Sequence, residues 1–160
     1  MLLINWLVTS PRTWMDLVWL YLLLFLLTIL HELGHALMAM LLGTTVTRIQ
    51  IGIPVTGQIA VGTILFQLGM IPGGSVSYEY ADDAPRWKVV AATLAGPLFP
   101  VLISVAMFLT TVPSVFIYGF VLTAMAGALA DLWPWKQGSD GQKICMHLRC
   151  ISRGRKTLDV

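Results

Sequence analysis

The chain has 160 residues, 57% of them hydrophobic and 11% charged, with a mean hydropathy of +0.79 and a formal net charge of +2. Soluble domains usually carry about 25% charged residues, so this composition points to a membrane protein, and the length leaves room for one compact unit without a soluble module of ordinary size. The small net charge gives no reason to expect a nucleic-acid partner, and two cysteines, Cys145 and Cys150, make no disulfide framework.

Met1 to Val8 is apolar but far shorter than the roughly 20 residues a helical crossing needs. It has neither the charged start nor the small-residue cleavage site of a signal peptide, and it fits an interfacial lead-in with Trp6 and Trp14 at headgroup level. Thr13 and Asp16 have the spacing of a helix cap, so a first span is expected over about 14–42, stopped by Gly43. Within it lies His31-Glu32-Leu33-Gly34-His35. Histidines four residues apart share a helix face and can reach one metal ion, and the Glu beside the first can polarise water there. Ionisable groups in hydrocarbon are costly, which makes such a cluster a functional-site hypothesis by default.

From Thr44 to Tyr80 the pattern changes. Thr45 to Ile51 alternates and is β-branched, Gln58 to Gln67 fits a second strand, Ile71-Pro72-Gly73-Gly74 fits a turn, and Ser75 to Tyr80 alternates again. A small sheet dipping partly into the membrane between the first two helices is expected, because irregular backbone at that depth must be covered by protein or reached by water. A second span is expected over about 86–110, with Gly96 permitting close helix approach and Pro97 and Pro100 predicting a kink or broken turn. Pro113 is placed to start a third span over about 114–133, ended by Trp133-Pro134-Trp135. Ser139 and Gln142 are spaced as a capping box, and Ile144, Leu148 and Ile151 then give a short amphipathic helix. The fold class is thus a mainly α membrane protein: a single core over residues 1–151 with three transmembrane helices, strands within 45–80 and a C-terminal amphipathic helix, followed by a basic flexible tail over 152–160.

Three spans put the termini on opposite sides. Lys136, Lys143, Arg149, Arg153, Arg155 and Lys156 follow the third span, and Arg48, Arg86 and Lys88 lie on the same side, against Arg12 at the other end. The positive-inside rule then puts the tail and the active-site side in the cytoplasm and the N-terminus outside, in a multi-pass protein of the cell membrane.

A catalytic zinc needs a third protein ligand besides His31 and His35, and an open position for water. The late candidates are Asp131, Asp140, His147 and Asp159, of which Asp140 is best placed, in a Gly-rich turn at a predicted helix start beyond the membrane boundary. Asp131, at the end of the third span, is a candidate to orient a ligand or to position substrate. Cys145, His147 and Cys150 are poorly spaced on one short helix to share a second metal.

Over about Leu17 to Gln142 the sequence resembles the site-2 protease family of intramembrane zinc metalloproteases. The resemblance is carried by HELGH at His31 to His35, by Ile71-Pro72-Gly73-Gly74-Ser75-Val76, by Ala95-Gly96-Pro97-Leu98, and by Asp131-Leu132-Trp133-Pro134 followed by Asp140-Gly141. It implies one Zn2+ per chain held by His31, His35 and Asp140, with Glu32 as general base. It also implies a membrane-embedded core without appended modules. Two departures stand out: Asp131 occupies a position where the family usually has Asn, and the spacer before Asp140 is one residue longer than in the commonest form. If that Asn holds substrate or a developing oxyanion, a carboxylate there repels negative charge unless protonated.

The expected function is therefore hydrolysis of peptide bonds within or near transmembrane segments, the substrate being a transmembrane protein, locally unwound and held by strand addition near Gln58 to Gln67. The lipid bilayer is the other expected partner; any regulatory membrane partner is unidentified. A pseudoprotease that binds transmembrane partners without cleaving them is the alternative that Asp131 motivates. A metal transporter is a third class, and it calls for polar residues along the second and third spans, which offer almost none.

Overall fold

A computed structural model gives the fold over residues 11–81, 84–112 and 114–152. Helix α1 (Pro11–Leu41) leads into two long bent strands, β1 (Thr45–Val61) and β2 (Ile64–Glu79), then α2 (Arg86–Thr110), α3 (Val115–Asp131) and α4 (Asp140–Ser152). The chain is mainly helical, with a small antiparallel sheet between the first two helices.

Helix α1 already includes Pro11, ahead of the expected start, so Thr13 lies within its range. Proline is well suited to a first helical turn, where its missing N–H has no intrahelical partner to lose. The expected lead-in with Trp6 falls outside the described residues. At the other end the Gly43 stop is borne out. Gly43 has φ 75°, Gly43 N donates to Met40 O at 3.0 Å, and Thr44 N donates to Ala39 O at 2.9 Å. These are the paired bonds of a Schellman C-cap. Lys88, from α2, adds a bond from Nζ to Leu42 O at 2.9 Å and so satisfies another terminal carbonyl.

The strands correct one expectation and bear out another. Gln58 to Gln67 is not one strand: it is two arms of a hairpin, with Val61 opposite Ile64 and Gln58 opposite Gln67. Gly62, with φ 60°, supplies the turn. The turn expected at Ile71 to Gly74 falls where β2 doubles back: Leu65 to Leu68 runs along Arg48 to Ile51 in the same direction and Gly74 to Ser77 in the opposite one, so the chain reverses between Leu68 and Gly74 inside one long bent strand. Pro72 cannot donate to a ladder, and the register skips it. The stretch Arg48 to Ile51 is central, pairing with Ser77 to Gly74 and also with Leu65 to Leu68.

Val46 and Ile49 of β1 pack on Ala36 and Ala39 of α1 and Ala92 of α2, with Ile51, Phe66, Val76 and Tyr78 around them. The alanines let the sheet sit close to both helices, which brings β2 beside the second half of α1. Gly34 does the same between helices, since a Cβ there would lie 2.5 Å from Ala95 O. Helix α2 runs unbroken through Pro97 and Pro100, both buried. It is the hub of the helical part, packing against α1, α3 and α4.

Two helices, Trp14–Leu41 and Arg86–Thr110, are long and apolar enough to cross a membrane. In the first, Trp14 to Leu22 are more than 40% exposed wherever they are large and apolar. An apolar face of that extent is not left to water. Helix α3 is equally apolar but has 17 residues, about 25 Å at 1.5 Å per residue, somewhat short of a roughly 30 Å hydrocarbon layer. Its start is capped by Ser114, whose Oγ accepts from Ile117 N at 3.4 Å.

Candidate metal centre

The predicted motif stands on the second half of α1, with Glu32 and His35 buried and His31 partly so. Helix α4 delivers the third group. Its start is fixed as the Ser139/Gln142 spacing predicted: Ser139 Oγ accepts from Gln142 N at 3.2 Å, and Gln142 Oε1 reaches back to Gly138 N at 2.8 Å. Ser139 Oγ also donates to Trp133 O at 2.8 Å, tying the cap to the end of α3. The helix start lies directly on that segment, because a Cβ on Gly141 would sit 2.0 Å from Leu132 O. Glycine after Asp140 is thus a steric requirement for bringing the aspartate in.

Asp140 Oδ2 lies 3.2 Å from His31 Nε2 and 3.0 Å from His35 Nε2, and the two Nε2 atoms are 3.1 Å apart. Among the described residues this is the group of His, Cys, Asp and Glu side chains whose donor atoms converge, all within 4.8 Å of one another. Zinc bonds of about 2.0–2.1 Å in a tetrahedron set neighbouring donors about 3.3 Å apart, so the three atoms fit one zinc ion with little adjustment. His35 Nδ1 is 2.8 Å from Ala92 O, an orienting bond that turns Nε2 toward the centre. Gly96, one turn on, leaves room for the ring: a Cβ there would be 2.1 Å from His35 Nε2. Burial pushes the Asp140 carboxyl up, but its bonds to His31 and His35 and the charge of Lys143 outweigh this and hold it well below the usual carboxylate range.

Glu32 sits against the sheet, its Oε1 2.8 Å from where a Cβ on Gly74 would stand. Its Oε2 is buried with no hydrogen-bond partner among the described residues. A buried carboxylate oxygen left in that state calls for a water or ligand beside it. Asp131 comes to the same place from the end of α3, with Oδ2 3.6 Å from His31 Nδ1 and Oδ1 3.8 Å from Lys136 Nζ. These residues line a cleft of about 640 Å³ with Leu27 and Thr28 of α1, Gly73 to Val76 of β2, and Thr123, Gly127 and Ala128 of α3.

All five residues singled out from the sequence thus meet in one cleft. His147 does not join them, and Cys150 has no described side chain. Residues the sequence reading missed are Gly96, the Ala92 carbonyl and Lys143, whose Nζ is 3.0 Å from Asp140 Oδ1. Lys143 has a local signal in its i,i+3 spacing from Asp140, and Gly96 lies in the Ala95–Leu98 stretch that carries the resemblance.

An apolar helical chain whose paired helix histidines meet a carboxylate from a distant helix, with a glutamate alongside, has the site of a membrane metallopeptidase. Residues 19–148 match the model of peptidase family M50, the site-2 protease family, and the chain belongs to that family. Its members are zinc metalloproteases of membranes. No curated protein matches the chain.

Proposed function

We propose that the chain is a zinc-dependent intramembrane endopeptidase that hydrolyses peptide bonds within or near transmembrane segments of membrane proteins. The observation that carries this is the convergence of Asp140 Oδ2 on both histidine Nε2 atoms, across more than 100 residues of chain, beside a glutamate with a free buried oxygen. His31, His35 and Asp140 hold the ion. A bound zinc supplies a Lewis acid for the scissile carbonyl and lowers the pKa of water. Glu32 takes the proton of the attacking water at Oε2 and returns it to the departing amine.

The cleft favours an extended substrate. Gly73 to Val76 line it, β1 pairs with one edge of this stretch, and among the described residues no strand pairs with the other, which suits strand addition. We read the substrate as lying along β2 beside the site, and not along the Gln58–Gln67 segment, which is folded into its own hairpin. The small residues of α3 opposite leave width for an unwound segment. We read α3 as a third, short span, and the charge distribution as putting the tail and site side in the cytoplasm. Partners are then a transmembrane substrate and the bilayer.

The pseudoprotease reading rests on Asp131. Against it, Lys136 Nζ lies 3.8 Å from that carboxylate and partly offsets its charge. Cleavage of a transmembrane substrate by purified protein in detergent, abolished by Glu32→Gln with zinc retained, is the expected result. Zinc binding without cleavage of any substrate, beside an active relative, supports the pseudoprotease. Wild-type cleavage by Glu32→Gln refutes the proposed mechanism.

A further inference from the structure

The two oxygens of Asp140 have different partners. Oδ2 faces both histidines, at 3.0 and 3.2 Å, while Oδ1 accepts from Lys143 Nζ at 3.0 Å. The Asp140 side chain is 7% exposed, whereas that of Lys143 is 51% exposed, so the lysine reaches in from the cleft rim to a carboxylate that water scarcely touches. Both lie on one face of α4, three residues apart, on a helix start held by the Ser139–Gln142 cap and by the close seat of Gly141 on Leu132.

We propose that Lys143 is a positioning residue of the metal centre, holding Asp140 as a one-oxygen ligand so that the fourth position stays open. The inference rests on the metal-binding reading of His31, His35 and Asp140. A carboxylate bound through one oxygen gives three protein ligands and leaves a place for water, as a catalytic zinc requires. Carboxylates also bind metals through both oxygens, and a buried Oδ1 without a partner is drawn to the ion or left unsatisfied. Lys143 removes that option by giving Oδ1 its own donor. Lys143 itself is half exposed, but its loss leaves the buried Oδ1 without a donor, so a modest drop in the metal-free melt accompanies the change and the metal readouts separate positioning from a structural role.

The test loads full-length protein in detergent with Co2+ as the spectroscopic probe, and measures Zn2+ affinity by chelator competition and the thermal melt of the metal-free form. Four-coordinate Co2+ absorbs more strongly in the visible than five-coordinate Co2+. The expected result for Lys143→Met is a weakened, shifted Co2+ band and a 10- to 100-fold loss of Zn2+ affinity, the range typical of residues that orient ligands, with the metal-free protein folded and melting only modestly below wild type. Lys143→Arg restores both, and Arg149→Met, an exposed change on the same helix, alters neither. A Lys143→Met protein with the wild-type band and affinity overturns the proposal alone. Wild-type protein that binds neither ion overturns the metal-binding reading beneath it. If Lys143→Met does not fold, Lys143→Gln is read instead. Failure of both uncharged variants to fold assigns Lys143 a role in folding and also overturns the proposal.

Discussion

Gly96→Ala should cripple the metal centre without touching any residue that carries its chemistry. A Cβ at position 96 would lie 2.1 Å from His35 Nε2, 2.3 Å from Cε1 and 2.6 Å from Cδ2. Ordinary contact begins near 3.4 Å, so the ring must retreat by about 1.3 Å. It cannot swing freely, because Nδ1 is held 2.8 Å from Ala92 O on the same helix. Metal–donor distances tolerate roughly 0.2 Å. A shift several times larger removes His35 from the set, and two donors remain. Zinc affinity should fall at least about 100-fold, or about 2.7 kcal/mol. Overpacking of α1 against α2 should also cost the metal-free protein about 1–3 kcal/mol. Gly43→Ala is the matched control. Gly43 has φ 75° and nothing within 4 Å of a Cβ, so alanine costs about 1 kcal/mol of backbone energy and leaves zinc affinity alone. Chelator competition on the purified proteins reads both variants. Gly96→Ala with zinc affinity within a factor of two of wild type would refute the packing of His35 described above.

Two further outcomes follow from groups outside the site. His147 is held below the ordinary histidine value by burial and by the nearby charge of Arg86. The unfolded chain therefore binds more protons in the histidine range, and stability falls as pH drops through about 6.5. His147→Gln should lose less melting temperature than wild type between about pH 7.5 and 5.5, measured on the metal-free protein; equal losses count against the assignment. Lys88→Met removes the bond to Leu42 O at the end of α1 and should lower stability by about 1.5 kcal/mol, seen as a lower melting temperature with zinc affinity unchanged.

Features that depend on neighbours in sequence were legible from the sequence. The H-E-x-x-H spacing needs only helix geometry. Gly43 and the Ser139/Gln142 pair are local caps, and both form as spaced. The boundaries of α2 follow from a hydrophobic run with polar ends. What failed depends on choices between equally apolar alternatives. Gln58 to Gln67 has the composition of a strand, and nothing local says that Gly62 turns it while Gly57 does not; the difference is in the pairing across the sheet. The stretch Ile71 to Gly74 has the composition of a turn, and β2 does double back there.

The site shows the same division. In the sequence, the helix start and Gly-rich turn single out Asp140, and the family resemblance implies it as the third ligand. Its approach to α1 depends on contacts no local pattern encodes, such as Gly141 on Leu132. Gly96 looked like a helix-packing residue, and so it is; the surface it packs on is the His35 ring. Asp131 illustrates the limit of reading a substitution singly. In the sequence it is an added negative charge, whereas in the fold it faces Lys136 and His31.

The most direct test of the account is the zinc content of wild type, Glu32→Gln and Asp140→Ala, purified side by side in detergent with the fold of each checked by its circular dichroism. One ion per chain is expected in wild type and in Glu32→Gln, and almost none in Asp140→Ala. A folded Asp140→Ala protein that keeps its full zinc would contradict the assignment of that carboxylate as the third ligand.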